Sequence, residues 1–205
     1  MRRILTLVAA LAFVVLFAMP AQAQEKAARF GLQAGVTSSS FSGDDVSDDV
    51  GSKTGFFAGA YFNYFFADNW GVSLEGNWLA GVGAKNDEGE IKLSYLEFPL
   101  MLNFAFPLGE SEKTWIGLGS GITAMINLSC DEGPTGSVNI DCKDETESVA
   151  WAVPFGATLG FKMSDAAVVW LGARYQLGLN NTFNDDTAAK LNIWEFLVGV
   201  GFPTG

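Results

Sequence analysis

The 205-residue chain has no histidine, two cysteines, six prolines and few charged residues, 17% of the total. Without histidine the commonest general base and metal ligand is missing, and no Ser-His or Cys-His nucleophile pair can be built. The balance of Gly, Pro and charge excludes a disordered chain, a collagen-like repeat and a coiled coil. Basic residues are scarce as well, 12 against 23 acids, and a net charge of -11 gives an electrostatic grip on nucleic acid phosphates no footing. No nucleic acid partner and no cofactor are expected.

Long apolar runs are confined to the N-terminus. Arg2 and Arg3 precede an apolar run over residues 4–18, followed by Met19, Pro20 and Ala21-Gln22-Ala23. This order of charged, apolar and small-residue regions predicts a Sec-type signal peptide over 1–23 and a mature domain over 24–205. A retained membrane helix fits less well, because 15 residues rise only about 23 Å against a hydrocarbon core of roughly 30 Å. Removing Arg2 and Arg3 takes the net charge to -13. After residue 24 no stretch of 18 apolar residues remains, so the mature chain has no transmembrane helix.

Period-two alternation fills the mature chain instead, and it predicts eight strands. Phe30, Leu32, Ala34 and Val36 oppose Arg29, Gly31, Gln33 and Gly35; Phe56, Phe62 and Tyr64 oppose Phe57, Tyr61 and Phe65. Further runs centre on Val72 to Trp78, Tyr95 to Phe104, Ile116 to Asn127, Val149 to Lys162, Val169 to Leu177 and Trp194 to Phe202. Connections near 67–69, 107–113 and 164–166 are short, whereas 38–53, 81–91, 129–148 and 180–190 are long. Short turns at one rim and long loops at the other are the plan of an antiparallel up-and-down outer-membrane β-barrel.

Charge placement decides which face meets lipid. Arg29, Glu75, Glu97, Lys162, Arg174 and Glu195 lie inside the strands, and all six fall on the Gly-rich, polar face. An Arg or Lys on the lipid face at mid-depth costs about 2 to 4 kcal/mol, so the bulky apolar face points outward and these six form a lumen charge network. Three acids against three bases make that lumen nearly neutral. Phe57, Tyr61, Phe65, Tyr95 and Trp170 fill the space left by inward glycines, so a diffusion pore is not expected. Trp70 and Trp115 near the short turns, with Trp78, Trp151 and Trp194 near the long loops, are read as interface aromatics. Pro99 and Pro154 fall inside strands, where a missing N–H predicts local bulges.

Cys130 and Cys142 share one polar loop, and in an exported chain they are expected to form a disulfide worth about 2 to 4 kcal/mol. Fifteen of the 23 acids lie in the long loops: Asp44, Asp45, Asp48 and Asp49; Asp87, Glu88 and Glu90; Asp131, Glu132, Asp141, Asp144, Glu145 and Glu147; Asp185 and Asp186. They are read as a solvated, repelling rim, with divalent cations bridging them to lipopolysaccharide as the functional version.

The segments Gly31-Leu32-Gln33-Ala34-Gly35-Val36, Ser94-Tyr95-Leu96-Glu97-Phe98-Pro99-Leu100 and Ala173-Arg174-Tyr175-Gln176-Leu177-Gly178-Leu179 resemble the PorT-like outer-membrane β-barrel proteins. The resemblance runs over nearly the whole mature chain and implies an eight-stranded barrel in the outer membrane of a diderm bacterium. It departs at the end, where Phe202 is followed by Pro203-Thr204-Gly205 rather than closing the chain with an aromatic.

Chemistry is thin. Glu75 and Glu97 are the one lumen pair that invites comparison with a glycosidase, yet no substrate cleft is evident and both are expected to neutralise Arg174. The sequence therefore reads as a non-catalytic, monomeric barrel with outer-membrane lipid and lipopolysaccharide as partners and a structural or loop-mediated binding role. A narrow channel, an assembly or secretion factor, and a soluble ligand-carrying barrel are the alternatives.

Overall fold

The computed structural model describes residues 28–47, 49–86, 89–109, 113–134, 140–184 and 188–204. The signal peptide expected over 1–23 lies outside them, as do Asp48, Asp87, Glu88, Asp185 and Asp186. The strands are β1 (Ala28–Ser42), β2 (Gly51–Phe65), β3 (Trp70–Lys85), β4 (Glu90–Leu108), β5 (Thr114–Gly133), β6 (Ile140–Asp141), β7 (Val149–Ser164), β8 (Ala167–Gly178) and β9 (Lys190–Thr204). Eight of them form an antiparallel ring, each paired with its chain neighbour among the eight and closed by β1 on β9. The two-residue β6 sits outside the ring and extends the end of β5.

Closure follows from the alternation. One apolar face cannot be buried in a sheet this small without a second layer, and the described residues supply none. The sheet instead curls until Phe30 of β1 stands opposite Phe202 of β9, leaving no unpaired edge. Phe30, Leu32, Val36, Phe62, Leu74, Leu100, Leu171 and Val198 then project outward and are exposed. Polar and small residues turn inward, so the interior, unlike that of a soluble protein, contains buried glutamates, amides and an arginine.

The strands are 12 to 20 residues long in the ring, beyond the roughly 9 to 11 that a bilayer needs. The excess lies at the long-loop end. There β3 runs on to Lys85 and the connection to β4 shrinks to residues 86–89, where a long loop over 81–91 is expected from sequence. Within that stretch Gly81 and Gly83 adopt positive φ, 73° and 139°, and a register shift between Ala80 and Val82 turns Val82 inward. Glycine lets the strand bend through the bulge rather than stop.

Pro99 and Pro154 do not create bulges. On the β3 side the ladder passes from Leu74–Leu100 to Asn77–Glu97, and on the β5 side of β7 from Ser120–Phe155 to Thr123–Ala152, with the register unchanged. Each proline sits in a two-pair gap on one side while staying paired on the other, Pro99 with Thr123 and Pro154 with Gln176. The bulges fall instead at Ala80/Val82, Ser94/Tyr95 and Lys162/Ser164.

Leu100 faces outward near mid-strand beside Leu74 and Ile122. Leu100→Arg is expected to destabilise the barrel by about 2 to 4 kcal/mol in denaturant unfolding from lipid vesicles.

Candidate functional site

The lumen is organised in three levels, counted from the long-loop end. Phe57, Leu79, Leu93, Tyr95, Leu191 and Ile193 form a buried apolar plug across the upper barrel. Beneath it lies a charged and amide-rich layer, and beneath that a small cavity of about 110 Å³ near the short-turn end.

Arg174 on β8 is the hub of the middle layer. Its Nε donates to Glu195 Oε2 at 2.5 Å and its Nη1 donates to Glu75 Oε2 at 2.8 Å; Nη2 lies 3.8 Å from Glu97 Oε2. Four strands bring these groups together, and all four side chains are at least nine-tenths buried. Amides add further hydrogen bonds to these carboxylates. Gln33 donates to Glu75 Oε2 at 2.6 Å, Asn77 to Glu97 Oε2 at 2.9 Å, and Gln176 to Glu97 Oε1, while Thr123 Oγ1 donates to Gln176 Oε1 at 2.9 Å. Such dense pairing is what buried ions require, since desolvation costs several kcal/mol per ion and only partners offset it.

Of the six charged residues expected to share the lumen, the structure joins Glu75, Glu97, Arg174 and Glu195, places Arg29 lower in the same bore and leaves Lys162 outside it. Arg29 lies at the short-turn end with its guanidinium 5.2 Å from the ring centroids of both Phe65 and Trp115. Lys162 lies near the end of β7 and pairs with Asp165 at 2.8 Å in the exposed β7–β8 turn. The buried layer therefore holds three acids and one base, not three of each. Period alone placed all six on one face; depth along the strand separates them.

The aromatic assignments divide in the same way. Trp70, Trp78, Trp151 and Trp194 project outward and are exposed, with Trp70 against Phe104 and Trp78 against Phe56. Trp115 turns inward instead, because it shares parity with Gly117 and Gly119; it covers Gly160 and lines the lower cavity with Arg29. Trp170 also points in and donates from Nε1 to the Tyr61 hydroxyl at 2.9 Å.

Sequence reasoning missed the amides. The amides of Gln33, Asn77 and Gln176, like the Thr123 hydroxyl, carry the signal that reveals them, namely a polar side chain at inward parity near mid-strand. Two groups sit at the outer rim. Cys130 and Cys142 form the disulfide, with Cα atoms 5.0 Å apart. Glu90 is clamped by Lys53 and by Lys92 at 2.5 Å, and hydrogen bonds from the two ammonium groups hold its carboxyl at about 2, well below the ordinary 4.5. Among the described residues no three His, Cys, Asp or Glu side chains converge as a metal site.

A closed eight-stranded ring with an outward apolar surface and an ionic, plugged interior defines a transmembrane β-barrel of the outer-membrane type. Residues 9–202 match the family described as outer membrane protein beta-barrel domain, and the chain belongs to that family. Neisserial surface protein A has a similar fold, with a TM-score of 0.54 at 15% identity over 84% of this chain and 96% of that one. OprG from Pseudomonas aeruginosa aligns with a TM-score of 0.48 at 18% identity over 87% and 96%, and Ail of Yersinia pestis with 0.47 at 13% over 85% and 97%. No curated protein matches the chain closely enough to lend it a function.

Arg174→Met leaves three buried carboxylates without their guanidinium and is expected to cost about 3 to 5 kcal/mol in equilibrium unfolding. The depressed Glu90 carboxyl stabilises the fold above pH 4.5, and that contribution is lost as pH falls from there through about 2. A carboxyl NMR titration should place Glu90 at that low value, and Glu90→Gln should remove this part of the acid sensitivity.

Proposed function

We propose that the chain is exported through a Sec-type signal peptide over 1–23 and resides in the outer membrane as a monomeric, non-catalytic barrel. Its plugged lumen is structural, and binding is the work of the outward loops and strand ends. One observation carries this reading: Phe57, Leu79, Tyr95 and Ile193 close the bore directly above a layer in which Arg174 is salt-bridged to Glu75 and Glu195. A solute would have to break both to pass. The carboxylates of the middle layer are held by an arginine and three amides, an arrangement that fixes them in place and offers no acid poised against a substrate.

Outside the bilayer the chain presents an acid-rich rim. Divalent cations bridging those carboxylates to anionic lipopolysaccharide fit the absence of a converged metal site among the described residues, because bridging needs one or two carboxylates per ion rather than a cage. Kinship with the PorT-like proteins rests on the three segments that include Glu97 and Arg174, two of the residues in the buried layer.

Two measurements test the proposal. The refolded protein should run as a compact band that shifts on boiling, and it should leave a planar lipid bilayer electrically silent. Discrete conductance steps would overturn the plugged lumen, and recovery of the folded protein from the aqueous fraction without detergent would overturn membrane residence.

A further inference from the structure

Above the plug, the strand ends enclose a second space, with Phe41 and Ile91 of its lining packed on the plug below. It is a cavity of about 510 Å³, within the size range of small-molecule pockets. Its wall is apolar, built from Phe41, Val46, Val50, Ile91, Ile140 and Phe183, with Phe41 and Phe183 in ring contact at 5.5 Å. These side chains belong to β1, the β1–β2 connection, β4, β6 and the β8–β9 connection, so five segments converge on one concave apolar surface beyond the reach of lipid. Ile140 is 70% exposed there, facing water rather than acyl chains. Apolar surface held concave and open to water at this cost in solvation is suited to an apolar ligand.

Charge at the rim selects among such ligands. Asp45, Glu90 and Glu132 line the cavity on the acidic side and Lys85 on the basic side. Glu90 is already taken by Lys53 and Lys92, whereas Glu132 makes no ion pair among the described residues. The chain as a whole is strongly acidic, and its long-range field draws cations to this mouth and repels anions.

We propose that this cavity is a binding site for a small amphipathic cation, its apolar body seated against Phe41, Ile91, Ile140 and Phe183 and its positive end directed to Glu132. The ligand enters from outside and stops there, since Leu93 and Leu191 belong to the plug below. The inference rests on the plugged-lumen reading, whose own failure shows separately as conductance.

Methyl-labelled protein in lipid nanodiscs, titrated with hexylammonium, hexan-1-ol and hexanoate, provides the test. The isoleucine signals of Ile91 and Ile140 should shift and saturate, while those of the lipid-facing Ile122 and Ile126 follow only partitioning into the bilayer. Hexylammonium should bind tightest and hexanoate weakest, and Glu132→Gln should reduce the preference for the cation over the alcohol by about threefold. Ile140→Asp, a change at an exposed position, should abolish saturation with the alcohol without altering the heat-modifiable band. Unsaturable shifts, equal shifts at Ile122 and Ile91, or tighter binding of hexanoate than of hexylammonium would overturn the proposal. A silent bilayer combined with any of these results would retire the ligand site and leave the plugged barrel standing.

Discussion

Everything in this molecule answers to one constraint: a hydrocarbon layer offers no hydrogen bonds and no shelter for charge. Backbone N–H and C=O groups must find partners within the chain, and a ring of eight strands achieves this by joining Ala28–Ser42 to Lys190–Thr204. Side chains must divide by polarity across a wall one residue thick. Period-two alternation performs that division, so a pattern readable in the sequence becomes an inside and an outside.

The interior shows what the constraint costs. Four ionised or ionisable groups lie where a soluble protein would place leucine, and they persist because Gln33, Asn77 and Gln176 supply the donors that one arginine cannot. The layer sits between the apolar plug and the lower cavity. That cavity is lined by Arg29, Asn63 and Arg174, each with a buried polar atom unpaired within the protein, as suits a hydrated chamber. The bore thus passes from an apolar plug to a polar chamber at the turn end.

Much of this was legible beforehand, for physical reasons. Strand number, facing and the inward position of Glu75, Glu97, Arg174 and Glu195 follow from a period of two, which survives any error in strand boundaries. What was not legible depends on quantities that periodicity does not carry. Depth separates Arg29 and Lys162 from the buried layer, and parity counted one residue further would have turned Trp115 inward. The connection expected over 81–91 is mostly strand, because positive φ at Gly81 and Gly83 serves a bulge within β3 and not its end. Proline misled, because a missing N–H at Pro99 or Pro154 is absorbed as a gap in one ladder while the register holds. The outer cavity was invisible, since it requires Phe41, Ile91, Ile140 and Phe183, scattered over more than a hundred residues, to meet.

The central claim is that the bulky apolar face meets acyl chains while the opposite face is sealed from them. Intermolecular NMR contacts between lipid acyl protons and protein methyl groups in nanodiscs read this directly, without substitution. Acyl contacts are predicted at Leu74, Leu100, Leu171 and Val198, with none at Met125 or Leu197. Acyl contacts at Met125 and Leu197, with Leu100 and Leu171 shielded, would contradict the account.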